Sequence, residues 1–561
     1  MIEQFNLLAT VEIQLIMQNL DVGDLLHFAG CGRFLYQAAS GAFAWKYKPN
    51  YTITGDSMVE MDMKIRKFGH LIESNSLAPL GHISLAIKYQ TEMNYKVLRA
   101  FCESVIKFGS TCIKSVNLSR CINCPDSQQA IISILHQLSC MNSLDLSYNK
   151  FNVKFDILLA SVLKSNKTIT SFNFQGNYTY TYHCDVALLS SYFQSCPNLT
   201  SINMSMNGIT DKDAGYLAPA IGNMVDVILK YNPIGYDGLV SLSTAIKNSS
   251  SLRTIGLLWD DFNLDCGGIS ILSDAIQHNK SLTSIDLSCN KCINIDNKLG
   301  INSLANAIKY NQTITSLNLS DCNIQDSGLA ILLGAIKSNP IMKTLILRRC
   351  QIGNDSSKSL ADIIQQNDTS LTSLDLTGNY LDNQGVWDLF KAIHSKQSRL
   401  AILSLDGNYI KKVGFSAIRN AIACNTSSLT SLNLNNGIYK YANIRSLFCA
   451  LVKNTKLTQI CLSGNEIDLV SVKMMCNVIR KNKVLCHLEL QRCWICMDGI
   501  NLILDAVRER KQLKTIYIDL SYNKSLLEDT KRIESLTSVM NKTLRCKIIV
   551  SSIHPSLNQW C

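Results

Sequence analysis

The segment Leu371 to Asn379, LTSLDLTGN, recurs with substitutions about fifteen times along this chain. Its skeleton is L-x-x-L-x-L-x-x-N/C. Leu144 and Leu146 lead into Asn149, Ile285 and Leu287 into Asn290, and Leu317 and Leu319 into Cys322. Leu345 and Leu347 lead into Cys350, Leu403 and Leu405 into Asn408, and Leu488 and Leu490 into Cys493. The period is about 28 residues, too short for a unit that buries its own apolar face, so successive copies must stack. A chain of 561 residues would otherwise suggest about three or four globular domains. A stacked array grows without starting a new core, and it overrides that expectation.

Within each copy, the L-x-L alternation has period two and reads as a short strand with one buried face. The Asn that follows can satisfy buried backbone groups in the turn. The second half reads as a helix, marked by Ala before an aliphatic residue, as in Ala245-Ile246, Ala307-Ile308, Ala392-Ile393 and Ala421-Ile422. In GLAILLGAIKSN, Leu329, Leu332, Leu333 and Ile336 fall at helical spacing. One strand and one full helix per copy resembles the ribonuclease-inhibitor subfamily of leucine-rich repeats, over about residues 110 to 523. The resemblance implies an α/β leucine-rich-repeat solenoid, a horseshoe with a parallel sheet on its concave side and helices outside. Leu80, Ile83 and Leu85 match the strand skeleton of a weaker preceding unit, and residues 545 to 552 read as a terminal strand.

The first residues break the pattern. Leu20, Asp21, Asp24, Leu25, Leu26, Phe28, Ala29, Cys31, Arg33, Leu35, Ala39, Ser40 and Trp45, with Leu8, Ile16 and Met17 upstream, resemble an F-box. The chain has Ala9 where that family usually carries Pro, and the usual Glu aligns with Val11, one place before Glu12. Read from the residues alone, Ile13, Ile16, Met17 and Leu20 form an apolar helical stripe. A few small helices cannot build a stable core, so the segment needs a partner or must dock on the repeats as a cap. The resemblance implies that Leu8, Ile16, Met17, Leu20, Leu25, Leu26 and Trp45 bind an Skp-type adaptor and, through it, a cullin ligase core. The expected organisation is an F-box-like helical segment at 1–46 and a connector with a degenerate repeat or cap at 47–109. Leucine-rich repeats at 110–523 and a C-terminal cap at 524–561 complete it.

The hydrophobic fraction is 47%, yet no run approaches the roughly 18 apolar residues of a membrane span. MIEQFNLLATVEIQ has neither the basic nor the continuous apolar region of a signal peptide. The net charge of +11 is scattered without a basic block, so neither nucleic acid nor membrane is expected as a partner. The 22 cysteines include the pairs Cys121/Cys124, Cys289/Cys292 and Cys493/Cys496. Their spacing mimics a zinc site, but Cys121, Cys322, Cys350 and Cys493 occupy the Asn position of the repeat, where a small thiol can turn inward. Free thiols in a reducing cytoplasm are expected, of a host cell if the source is viral or bacterial, with no cofactor and no metal.

No catalytic motif stands out. Asp145, Asp286 and Asp375 share one strand position, but Asn117, Asn173, Asn203, Asn318 and Asn433 occupy the same slot in other copies. A solvated polar row is expected there, not a catalytic array. Most residues flanking L-x-L are small and polar. The exceptions are Tyr148, Lys230, Tyr231, Trp259, Asp261, Arg348, Arg349 and Arg492, which are expected to face a partner, since Tyr, Trp and Arg dominate many interfaces. A degenerate repeat in which Leu258 or Trp259 packs on a neighbouring loop is the alternative near 225 to 262. The expected function is a non-enzymatic adaptor that presents a target protein to a ubiquitin ligase. The alternative is a stand-alone scaffold, inhibitor or sensor.

Overall fold

The computed structural model describes residues 50–54, 83–88, 113–523 and 546–549, apart from 121–124, 150, 152, 178–183, 259–266, 291–292, 294–297, 366–369, 396, 438–440 and 511–514. The F-box-like residues Leu8, Ile16, Met17, Leu20, Leu25, Leu26 and Trp45 lie outside the described residues, as do Trp259 and Asp261. The chain divides into two compact units, Met1–Asp261 and Phe262–Cys561.

In the first unit, every described strand runs parallel to the next in chain order. The strands are β1 (Asn50–Thr54), β2 (Ile83–Lys88), β3 (Ile113–Asn117), β4 (Ser143–Asp145), β5 (Ser171–Asn173), β6 (Ser201–Asn203), β7 (Asp226–Ile228) and β8 (Thr254–Gly256). The L-x-L register is kept, so Leu144 lies beside Phe172, and Phe172 beside Ile202. β1 falls in the stretch read from sequence as connector, and it pairs with β2 before any N/C motif appears.

The second unit repeats the arrangement. Its strands are β9 (Ser284–Asp286), β10 (Ser316–Asn318), β11 (Thr344–Ile346), β12 (Ser373–Asp375), β13 (Ile402–Ser404), β14 (Ser431–Asn433), β15 (Gln459–Cys461), β16 (His487–Glu489), β17 (Ile516–Asp519) and β18 (Cys546–Ile549). Each pairs in parallel with its successor. Almost every strand is followed by a helix, and this α/β alternation is that of a leucine-rich-repeat solenoid.

The helices form where the sequence places them. Helix Gln325–Lys337 buries Leu329, Leu332, Leu333 and Ile336, the stripe expected from spacing. Each such side chain contributes roughly 1.5–3 kcal/mol on leaving water. Asp468 begins helix Leu469–Lys481 by accepting from the Ser471 N–H at 2.9 Å, and Asp185 accepts from Leu188 at 3.0 Å before helix Val186–Ser195. Among the described residues, no helix is long and apolar enough to cross a membrane.

Two side-chain ladders tie copy to copy. In the first, Asn379 donates from Nδ2 to the Leu347 carbonyl of the preceding repeat and to Leu376, while its Oδ1 accepts from Cys350 N and Ile352 N at 3.0 Å. Asn149, Asn177, Asn232 and Asn408 donate to the corresponding pair of carbonyls, and Asn207 reaches the preceding copy's Phe174 O. Cys322, Cys350 and Cys493 are fully buried at this position. Their thiols reach the same carbonyls: Cys350 Sγ lies 3.1 Å from Leu319 O, and Cys493 Sγ 3.2 Å from Leu462 O. The second ladder uses the Asn at the helix end. Asn482 donates to Leu451 O and Asn454 O and accepts from Val484 N and Leu485 N.

Candidate protein-binding face

The buried member of each L-x-L strand faces the helices, so its neighbours face the other way; their burial alternates half-buried, buried, half-buried. These outward residues, and the two that follow the second leucine, form the exposed sheet face and its edge.

The shared strand slot has a backbone task. Asp145 Oδ1 accepts from Ser147 N at 2.9 Å and from Ser147 Oγ at 2.7 Å. The same bond to the residue two positions on occurs at Asn117, Asn173, Asn203, Asp286, Asn318, Asp375, Asn433 and Asp519. Either carboxylate or amide oxygen closes this turn, which explains why Asp and Asn interchange. The aspartate row is therefore structural.

One position further along, just before the Asn or Cys, the backbone is left-handed in every described copy. Gly176, Gly378, Gly407 and Gly464 take it at φ of 65–72°, but so do Arg120, Tyr148, Met206, Tyr231, Asp321, Arg349, Arg492 and Tyr522. Side chains rarely adopt this conformation. It persists here because the residue's N–H extends the ladder beyond the strand. Tyr148 N donates to Gln175 O at 2.7 Å, Met206 N to Lys230 O at 2.9 Å, and Arg349 N to Thr377 O at 2.8 Å. The result is a row of side chains along one edge of the sheet, and most partner-facing residues expected from sequence fall in it or beside it.

In the first unit, Tyr148 is 39% exposed and lies beneath the Arg120 guanidinium at 4.9 Å. Gln175 Nε2 donates to the Tyr148 hydroxyl at 2.7 Å, and Asn203 Nδ2 donates to Gln175 Oε1 at 3.1 Å. The Tyr148 ring covers Gly176 so closely that a Cβ there would sit 2.6 Å from it. Lys230 and Tyr231 are half-buried, with the ammonium 5.9 Å from the ring. Leu258 is buried at 3% exposure.

In the second unit, Arg348 and Arg349 are adjacent but take opposite partners. Arg348 Nε donates forward to Asp375 at 2.7 Å; Arg349 grips Asp321 of the preceding repeat with two bonds at 2.6 and 2.8 Å. Arg492 lies over the Tyr522 ring at 5.5 Å. Sequence reasoning missed the cluster beside it. His487 and Tyr517 stack at 4.3 Å with rings 8° apart, and His487 Nε2 sits 2.9 Å from Glu489 Oε1. Gln491 Nε2 donates to Asp519 at 2.7 Å. Burial, then Asp519 and Glu489, holds the Tyr517 phenol above its usual range. Burial and then Glu489 push the Cys461 thiol up to about 12. Burial also raises Asp406, aided by Asp375 against a hydrogen bond from Asn436. A signal was available: His487 and Tyr517 stand where most copies place Ser or Thr.

Among the described residues, no three His, Cys, Asp or Glu side chains are placed to hold a metal ion; Cys493 and Cys496 are free thiols, and Cys289 Sγ lies 4.0 Å from Asp321 Oδ2. Cys121, Cys124 and Cys292 lie outside the described residues. What the face offers is hydrogen bonds, rings and charge to a macromolecular surface.

Residues 195–218, 278–294, 310–332 and 367–387 match the family described as Leucine Rich repeat. Over 302 residues the chain is 26% identical to human NACHT, LRR and PYD domains-containing protein 13, covering 53% of this chain and 22% of that protein. The chain therefore spans about a fifth of that relative's length. An internalin from Listeria monocytogenes is similar at 17% identity and a TM-score of 0.33, covering 61% of this chain and 79% of that one. Parallel ladders, buried Asn and Cys positions and the matched segments agree on the fold of the described repeats, an α/β leucine-rich-repeat solenoid.

Proposed function

We propose that this chain is a non-enzymatic adaptor, the target-recognition subunit of a cullin-type ubiquitin ligase acting in the cytoplasm. Residues 5 to 45 recruit an Skp-type adaptor through Leu8, Ile16, Met17, Leu20, Leu25, Leu26 and Trp45, and the sheet face of the repeats holds a target protein. The observation that carries the reading is the sequence resemblance of residues 5 to 45 to an F-box, ahead of a repeat array in the same chain. The array's exposed edge bears Tyr148, Lys230, Tyr231, Arg348, Arg349 and Arg492. The chain contributes proximity, raising the effective concentration of the target near the ligase. The test is co-purification of an Skp-type adaptor with the full chain and with a Leu25→Asp/Leu26→Asp variant. Recovery with the first and loss with the second supports the reading; no recovery with either sinks the ligase role.

Similarity of the repeats to a human protein named for NACHT and PYD domains supports a second reading. In it the chain is a stand-alone scaffold, inhibitor or sensor. Capture of a protein through the repeats by a chain that recovers no Skp-type adaptor would select it.

A further inference from the structure

We infer that the helix side of the second unit carries a site for a medium-chain carboxylate, an unbranched acyl chain ending in one carboxyl group. The site is the cleft between helix Asn383–Ile393 and helix Lys412–Cys424, which belong to neighbouring repeats. It lies away from the sheet face and does not rest on the adaptor reading.

Two facing stripes make the cleft. On the first helix the lining runs from Trp387 to His394, and on the second from Ala417 to Cys424, each at the i, i+3, i+4, i+7 spacing of one helix face. At a rise of 1.5 Å per residue the cleft is about 10 Å long. Its volume is about 330 Å³, at the small end of ligand cavities, which begin near roughly 300 Å³. A partner helix, about 10–12 Å across with its side chains, is too broad for it. The floor is apolar: Phe390, Ala417 and Ala421 are all buried. Ala417 and Ala421 lie one turn apart and end at Cβ, so the space is a channel along the helix. The Trp387 side chain, 42% exposed, walls one end. A narrow apolar channel suits a flexible linear chain.

The charge around the channel has one sign. Helix Lys412–Cys424 contains no acidic residue. The one carboxylate in helix Asn383–Ile393 is Asp388, and it is engaged elsewhere: Ser357 Oγ of the preceding repeat donates to it at 2.7 Å and Gln384 Nε2 at 3.0 Å. Lys391 lines the cleft and is exposed. Arg419 donates to Oδ1 of the lining residue Asn420 at 2.8 Å, which brings a second cation to the rim. Both helices end on this side, and each places roughly half a negative charge there. The two full positive charges outweigh them. A carboxylate held at the rim by Lys391 keeps contact with water, while its chain covers Phe390, Ala417 and Ala421. One lining lysine matches one negative charge.

Cys424, an exposed thiol in the lining, provides the readout, and the exposed thiols Cys449 and Cys496, which do not line the cleft, are internal controls. The test is alkylation of the full chain by N-ethylmaleimide, followed thiol by thiol by peptide mass spectrometry, with butanoate, hexanoate or octanoate added. Octanoate is expected to slow reaction at Cys424 and leave the two controls unchanged. The half-protecting concentration should fall by up to about fourfold for each added methylene, as expected for burial of a chain. Lys391→Gln, a change at an exposed position, should raise it at least fivefold, and added salt should weaken protection. Ala417→Leu, which fills the channel, should abolish protection in a chain whose thermal melt matches the wild type; if that variant melts early, Lys391→Gln decides alone. Absence of protection by octanoate, or protection that ignores chain length, overturns the inference. So does equal protection by octanol or octylamine, an unchanged Lys391→Gln variant, or slowing at all three thiols together. Protection by phosphatidylcholine vesicles without protection by octanoate would assign the channel to a lipid surface and overturn the free-acid site.

Discussion

The guanidinium of Arg510 takes over the hydrogen bonds that Asn482 makes one repeat earlier. Asn482 donates to Leu451 O at 2.6 Å and to Asn454 O at 2.9 Å. One copy on, Arg510 Nη1 donates to Ile479 O at 2.6 Å and Asn482 O at 3.1 Å, and Nη2 donates to Leu485 O at 3.0 Å. Burial pulls the guanidinium below its usual pKa. Truncation would strand three carbonyls at a helix end. Arg510→Ala is expected to destabilise the second unit by about 2–4 kcal/mol, measured as a shift in urea midpoint. Arg510→Lys, which has donors but no planar fork, should recover only part of it.

The buried asparagine ladder makes a sharper demand. Asn379 both donates to Leu347 and Leu376 and accepts from Cys350 N and Ile352 N. Asn379→Ala leaves donors and acceptors of two repeats without partners, and a loss of about 3 kcal/mol or more is expected in chemical denaturation. Asn379→Cys is expected to cost less, because Cys322, Cys350 and Cys493 show that a thiol reaches the corresponding carbonyls.

The buried thiols tie stability to pH. Burial pushes Cys350, Cys461 and Cys493 each up to about 12, whereas an unfolded thiol ionises near 8.5. The unfolded state therefore loses protons first as pH rises. The stabilisation is fully present below about pH 8.5 and is lost progressively between there and about pH 12. A falling melting temperature across that window, blunted in a Cys350→Ala/Cys493→Ala variant, is the expected result. At pH 8 a thiol reagent should modify the exposed Cys424, Cys449 and Cys496 first and reach the buried three only on unfolding.

The left-handed row predicts a coupled pair. Gly464 has φ of 71°, and a Cβ there would lie against the amide of Asn436. Gly464→Ala is expected to cost about 1–3 kcal/mol, from backbone strain and the clash. Adding Asn436→Gly removes the clash and should recover a measurable part, so a double-mutant cycle in urea should be non-additive.

Exposed ion pairs should matter little for folding. Arg349→Ala removes the Asp321 pair, but the Arg349 side chain is 68% exposed. A stability change under about 1 kcal/mol is expected in thermal denaturation.

The strand and helix of each copy were legible because their periods are local. Leu144 with Leu146, and Leu329 with Leu332, Leu333 and Ile336, announce a buried face without any tertiary information. The interchange of Asp145 with Asn173 was also visible, and the two make the same bond to the backbone two residues on. Less legible was the backbone behind it. Tyr148, Tyr231, Arg349 and Arg492 stood out as residue types, but nothing in their identity announces a left-handed φ that glycine fills in neighbouring copies. His487 and Tyr517 are thirty positions apart and meet only because parallel pairing sets them side by side. Arg510 escaped notice because its task belongs to an asparagine in other copies, among them Asn311, Asn339, Asn454 and Asn482.

By itself, then, the amino-acid sequence determined the repeat, its alternation of strand and helix, the inward thiols and the polar outward slots. These follow from which side chains must leave water at what spacing. Only the tertiary structure decided which outward residues become neighbours. Ladder pairing brings each copy within hydrogen-bonding distance of the next, so Arg120 comes to lie over Tyr148, Arg349 on Asp321 and His487 on Tyr517. Contacts between residues a full repeat apart depend on register, and register is a property of the stack as a whole.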